Sequence, residues 1–238
     1  MKIRALFIVP ILVVGLVSCS SDDSASDSSV ATGDSVAGTE APVSEAPTTT
    51  VFAPTPVAIS GVGETTVEGP VTGGGGQIIF GTATFDGSGF GYTEEEYFIS
   101  GTANSYTSDQ PLTEDGMWNV TPKDTADYKT RILVRRPTTA ADFSGTVYVE
   151  WLNVTAGLDT GPTWSLSWVE MLRQGSVWVG VSTQRVGVEG GGNKMGEFRV
   201  LKIADPERYG TLNHPGDNYS YDIFSQAGAT VWNQADTI

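Results

Sequence analysis

Residues 145–182, GTVYVEWLNVTAGLDTGPTWSLSWVEMLRQGSVWVGVS, leave this chain few folds to choose from. Thr146 to Leu152 is β-branched and aromatic, the composition of a strand in a packed sheet. Val177 to Val181 contains no polar side chain, as expected for a strand covered on both faces. Between them Trp164, Trp168, Met171 and Leu172 recur at i, i+4, i+7 and i+8, one apolar stripe on a helix. Pro162 suits the first helical turn, where a missing N–H costs nothing, and Gly175 suits the left-handed residue just past the last turn. Two apolar strands joined by a helical crossover of this length lie parallel, with a right-handed connection. The centre of the chain is a βαβ unit.

Three strand candidates precede it: Gln77–Phe85, Glu95–Ser100 running on toward Tyr106, and Tyr128–Arg136, which Pro137 ends. Their short, glycine-rich spacings predict hairpin-like antiparallel pairing. Antiparallel strands feeding a βαβ unit make a mixed sheet, so the fold class is α/β. After Ser182, residues Thr183 to Gly216 carry Gly190-Gly191-Gly192 and two prolines and read as a long irregular segment. Asp217-Asn218 can cap a final helix, Tyr219 to Asn233, with Ile223, Ala227 and Val231 on its apolar face. About 160 residues follow Gly76, enough for a core of their own.

The first 76 residues read differently. Lys2 and Arg4 precede an apolar run from Ala5 to Leu16, too short to span a bilayer and fitted to the core of a secretory signal over residues 1–18. Leu16-Val17-Ser18-Cys19 resembles a bacterial lipobox, and an ordinary secretory signal with an incidental cysteine is the alternative. The resemblance implies acyl chains on Cys19 and a membrane-anchored protein on the outward face of a bacterial envelope. Residues 19–76 are rich in Ser, Thr, Ala, Gly, Val, Pro and acids, which predicts a disordered tether closed by Gly73-Gly74-Gly75-Gly76. A phosphate-cradling role for these glycines would need a helix behind them, and a strand pattern follows instead. Cys19 is the only cysteine, so no intramolecular disulfide can form.

Charge excludes one class of partner. Between Arg4 and Lys123 there is no Lys or Arg, while 15 of the 28 acids lie there; beyond, 13 acids face 11 bases. No basic stripe exists to neutralise phosphates, which argues against nucleic-acid binding. One histidine and one cysteine, the latter assigned to acylation, argue against a metal site, and no motif calls for a cofactor. Glu94-Glu95-Glu96 alternate along a strand and read as solvated edge charges. His214-Pro215-Gly216-Asp217 reads as a turn before the capped helix.

The blocks EEEYFISGTANSY (94–106), RILVRRP (131–137), VYVEWLNVTAGLD (147–159), WVGVSTQRVGVEGG (178–191) and LKIADPERYGTLNHPGDNYSYDIFSQAG (201–228) resemble, in that order, the front half of a bacterial family of α/β-hydrolase-domain proteins. The similarity runs from about Tyr92 to Val231. It implies that Tyr92–Tyr106, Tyr128–Arg136, Val147–Leu152 and Val177–Ser182 are strands one to four, accompanied by helices A and B, with a sheet order of 1-2-4-3-5. In that fold a nucleophilic serine sits on an elbow after strand five, and part of the oxyanion hole comes from the loop after strand three. The resemblance thus makes Asn153, Val154, Thr155 and Ala156 oxyanion-hole candidates; a tight strand-to-helix turn at Gly157 is the simpler reading of the same loop.

No Gly-x-Ser-x-Gly occurs in the 238 residues. Gly180-Val181-Ser182 imitates it, but the residues after Ser182 show no helical stripe, so Ser182 reads as the end of a strand. His214 precedes the position of the expected serine, the wrong order for a triad in this fold. The expectation is therefore an α/β-hydrolase-type domain over 77–238 that stops before the nucleophile strand, with no catalytic residue in this chain. Two functions remain open: a surface lipoprotein that in complete form is a serine hydrolase of small carboxylic esters, or a tethered binding module without chemistry.

Overall fold

The computed structural model describes residues 61–81, 85–235 and 238. The signal, Cys19 and most of the tether lie outside the described residues. Five strands form one sheet in the order β1-β2-β3-β5-β4: β1 Thr66–Glu68, β2 Tyr92–Thr107, β3 Thr121–Pro137, β4 Val147–Trp151 and β5 Val177–Val181. Strands β1, β2 and β3 pair antiparallel, β5 adds antiparallel to β3, and β4 adds parallel to β5. The expected mixed sheet and the expected order of its four main strands are both present.

The pleat decides which helix each residue meets. Ile132 and Val134 of β3, with Val179 and Val181 of β5, point to one face, where Ile223, Ala227 and Val231 of α5 (Ser220–Asn233) cover them. Leu133 and Trp178 point to the other face and meet Trp164 and Met171 of α1 (Pro162–Arg173). Pro162 opens α1 and Gly175 turns left-handed beyond it (φ 65°). The cap of α1 comes from elsewhere. Glu150 of β4 accepts from the backbone N–H groups of Thr163 (2.7 Å) and Trp164 (3.0 Å) and from Trp178 Nε1 (2.8 Å). A carboxylate against the unpaired amides of a helix start is favourable in charge and in hydrogen bonding.

Five expectations need correction. Gln77–Phe80 is not a strand: Tyr209 OH and Arg131 occupy the backbone of Ile79, while Phe80 is buried 6.0 Å from the Trp178 ring. Its apolar composition signalled packing, not pairing. The folded region also starts before residue 77, because Thr66–Glu68 adds an edge strand and Lys129 pairs with Glu68 at 2.7 Å. The Gly73–Gly76 run is held in place, with Gly75 N–H donating to Asp205 (2.6 Å) and Gly73 O accepting from Arg208 (3.0 Å). Finally, residues 183–216 contain three short helices: α2 Arg185–Glu189, α3 Leu201–Ala204 and α4 Pro206–Tyr209. They bury Val188, Leu201, Tyr209 and Leu212 against Phe98 of β2. Helix α5 is where the periodicity places it, but Asp217 does not cap it; its Oδ1 accepts from Arg185 N–H at 2.7 Å.

Candidate functional site

In open α/β sheets ligands gather beyond the carboxyl ends of the parallel strands. Here those ends are Trp151 and Val181, which face each other in the ladder. The loop after β4 is short and tied to itself. Asn153 and Thr160 exchange backbone hydrogen bonds at 2.8 and 2.9 Å, and Gly157 N–H closes a turn onto Val154 O at 2.8 Å. Asn153 Oδ1 accepts from Thr155 N–H at 3.0 Å. The N–H groups of Asn153 and Thr155 are therefore spent inside the loop. Among the described residues, those of Val154 and Ala156 have no partner.

Ser182, one residue past β5, is followed by helix α2 after all. What sets it apart from an exposed elbow serine is its burial and hydrogen bonding, not the lack of a helix. Its side chain is 0% exposed; Oγ donates to Asp159 Oδ2 at 2.6 Å and accepts from Arg131 Nε at 2.9 Å. Arg131 is the hub of this interior. Its Nη2 donates to Asp159 Oδ2 at 2.8 Å and its Nη1 to Glu96 Oε1 at 3.0 Å. Glu96 in turn accepts from Arg208 Nε (2.7 Å) and Tyr209 OH (2.9 Å). Two carboxylates thus face two guanidinium groups, and the cluster is neutral as a whole.

Burial opposes the charge of Arg131, yet Asp159 and Glu96 outweigh it and hold the guanidinium protonated. Burial pushes the Asp159 carboxyl up, and Arg131 and Ser182 pull it back. Burial and then the neighbouring charges, Arg131 lowering and Glu96 raising, push the Tyr209 hydroxyl up to about 12. Glu96 was expected in solvent; the segment 183–216 folds over it and supplies Arg208 and Tyr209. Glu94 and Glu95 are likewise engaged, by Arg135 and Arg136. Arg135 itself lies between the rings of Phe80, Phe85, Trp164 and Trp178, at 4.3–5.3 Å from their centroids. RILVRR sets three arginines in an apolar strand, and that composition was the available signal for ion pairs within the fold.

His214 is buried with both nitrogens occupied. Nε2–H donates to Thr183 O at 2.7 Å, and Nδ1 accepts from Gly216 N–H at 3.3 Å. Burial holds its pKa below the ordinary histidine value. It closes a turn and packs the chain behind β5; it does not reach Ser182 by any hydrogen bond among the described residues. No group of three His, Cys, Asp or Glu side chains there could hold a metal ion.

A cleft of about 890 Å³ opens at the same end of the sheet. Ile132 of β3 pairs with Val181, so the part of β3 before Ile132, and the β2 residues paired with it, project past the end of β5 as an arm. Tyr106, Leu112 and Trp118 of that arm form one wall; Asp217, Asn218 and Tyr221 form the other. The Tyr221 ring lies 5.5 Å from that of Trp151, the last residue of β4.

Residues 67–238 match the family model described as an alpha/beta hydrolase domain. The chain belongs to that family. No curated protein and no solved structure matches it. Membership accounts for the sheet order and for placing β4, with its loop, beside β5. In this alpha/beta hydrolase domain the loop Asn153–Thr160 and the cleft share the end of the sheet at which the fold class works.

Proposed function

We propose that these residues form the sheet and half of the oxyanion hole of a lipid-anchored serine hydrolase that cleaves small carboxylic esters. The observation that carries this reading is the pair of unspent N–H groups at Val154 and Ala156, at the carboxyl end of β4. Such donors stabilise the negative charge that develops when a serine oxygen attacks an ester carbonyl. The serine loses its proton to a histidine, the alcohol departs, and water then releases the acyl group. Ser182 and His214 take no part, since both are enclosed and hydrogen-bonded. The nucleophile belongs to a strand on the free edge of β4, where Val147 and Tyr148 stay exposed and no strand pairs among the described residues. Acyl chains on Cys19 hold the domain at the outward face of a bacterial envelope membrane.

The test is labelling with a fluorophosphonate and turnover of short-chain aryl esters. The 238 residues give neither; a chain that also carries the next strand and elbow gives both, with the label on a serine numbered above 238. Label on Ser182 overturns the assignment. For the anchor, Cys19→Ala moves the protein out of the detergent phase, and unchanged partitioning refutes acylation. The sealing of Ser182 also favours a second reading, a tethered binding module without chemistry. A longer chain that binds ligand yet never takes the label supports that one.

A further inference from the structure

We propose that the cleft between the β2–β3 arm and the start of α5 binds an organic cation, an ammonium group carried on an apolar or aromatic body. The inference does not depend on the hydrolase reading, since it requires no reaction. Three aromatic side chains line the cleft, and Tyr106, Trp118 and Tyr221 are 39, 41 and 61% exposed. Two of them have already used their polar tips. Tyr106 OH donates to Asp222 Oδ1 at 3.0 Å, and Trp118 Nε1 donates to Thr113 O at 2.6 Å. What these two offer a ligand is therefore ring surface, whose negative face attracts cations.

The one charged side chain that lines the cleft among the described residues, Asp217, is acidic. Among the described residues no Lys or Arg lines it, and none occurs between Tyr92 and Pro122 in the chain. Asp109, Glu114 and Asp115 are chain neighbours of lining residues, Asp222 lies beneath Tyr106, and Asp217 stands in the opposite wall, while Lys123 of the arm pairs with Asp124 at 3.8 Å. Arg185 approaches Asp217 only through its backbone N–H, and its guanidinium turns to Gly190 O at 3.4 Å. Asp217 Oδ1 is taken by that N–H, while Oδ2 has no partner among the described residues. A carboxylates-and-aromatics surface repels anionic ligands and focuses cations. The volume of about 890 Å³ falls within the range of small-molecule sites.

The experiment measures binding of three matched probes to the full chain by calorimetry and ligand-observed NMR: phenyltrimethylammonium, its neutral isostere tert-butylbenzene, and benzoate. The ammonium binds at least about tenfold more tightly than either of the others, as 1.4 kcal/mol of charge recognition requires. Asp217→Asn and Trp118→Ala each weaken the ammonium several-fold, and salt weakens it further. Trp118 is an exposed arm residue, so its removal leaves the sheet folded and the urea midpoint unchanged. Equal binding of tert-butylbenzene makes the cleft merely apolar and overturns the inference. So does tighter binding of benzoate, ammonium binding unaffected by both substitutions, or no ammonium binding at millimolar concentration.

Discussion

Replacing Arg131 by Met tests whether the buried cluster is a single unit. The side chain is fully buried and holds Glu96, Asp159, Ser182 and the carbonyl of Ile79 at 2.8–3.0 Å. Methionine conserves much of the volume, so the loss is mainly electrostatic. The two carboxylates do not suffer equally. Glu96 keeps Arg208 and Tyr209, whereas Asp159 keeps only the Ser182 hydroxyl. A buried charge stripped of its partner costs about 3–5 kcal/mol. For a domain of this size that lowers the melting temperature by about 6–20 °C.

The pH dependence identifies the culprit. Burial already raises the Asp159 pKa, and removing Arg131 raises it further. A carboxyl whose folded pKa lies above its unfolded value binds extra protons in the folded state between the two. Its contribution to stability is then present at low pH and is lost as pH rises through the folded pKa. The deficit of Arg131→Met is therefore smallest in acid and grows toward neutrality. Adding Asp159→Asn removes the stranded charge and recovers part of the loss, although Asp159→Asn alone is destabilising. Urea melts at constant m-value measure all four proteins. A deficit under about 1 kcal/mol, or costs that add within about 0.5 kcal/mol, would show that the cluster is not coupled as its geometry requires.

Two further outcomes follow from single positions. His214 is held neutral, with its pKa below the unfolded value, so the unfolded chain takes up more protons just below about pH 6.5. Stability then falls as pH drops through that window, by at most about 1.4 kcal/mol per pH unit, and His214→Gln flattens the slope in urea melts; an unchanged slope assigns the dependence elsewhere. A methyl group at Gly187 overlaps the Asp159 carboxylate, whereas one at Gly228, inside α5, meets nothing. Gly187→Ala accordingly destabilises by about 1–3 kcal/mol, and Gly228→Ala stabilises by about 0.5–1 kcal/mol; thermal melts that reverse this order refute the packing at Asp159.

The sequence by itself determined the elements whose signal repeats along the chain. The stripe Trp164, Trp168, Met171, Leu172 between Pro162 and Gly175 could only be a helix, and the apolar runs on either side could only be strands. Their parallel pairing follows from the length of the crossover. Helix α5 was legible for the same reason, through Ile223, Ala227 and Val231.

What depended on distant partners was not legible. Glu150, a charge within an apolar strand, caps a helix that starts 12 residues later, and no local spacing marks that. The pleat put Glu94 and Glu96 on the opposite face from Glu95, but it could not say that Arg208 and Tyr209 would return across more than 100 residues to cover Glu96. Ser182 lies one residue past β5 and a helix follows it; Arg131 and Asp159, which close it off, come from elsewhere in the chain. The cleft exists because β2 and β3 outrun β5, and strand lengths past a sheet's edge are set by what packs there. Local periodicity reports which faces must be covered. Only the tertiary structure decides by what, because the energy of a buried charge resides in its partners and not in the residue itself.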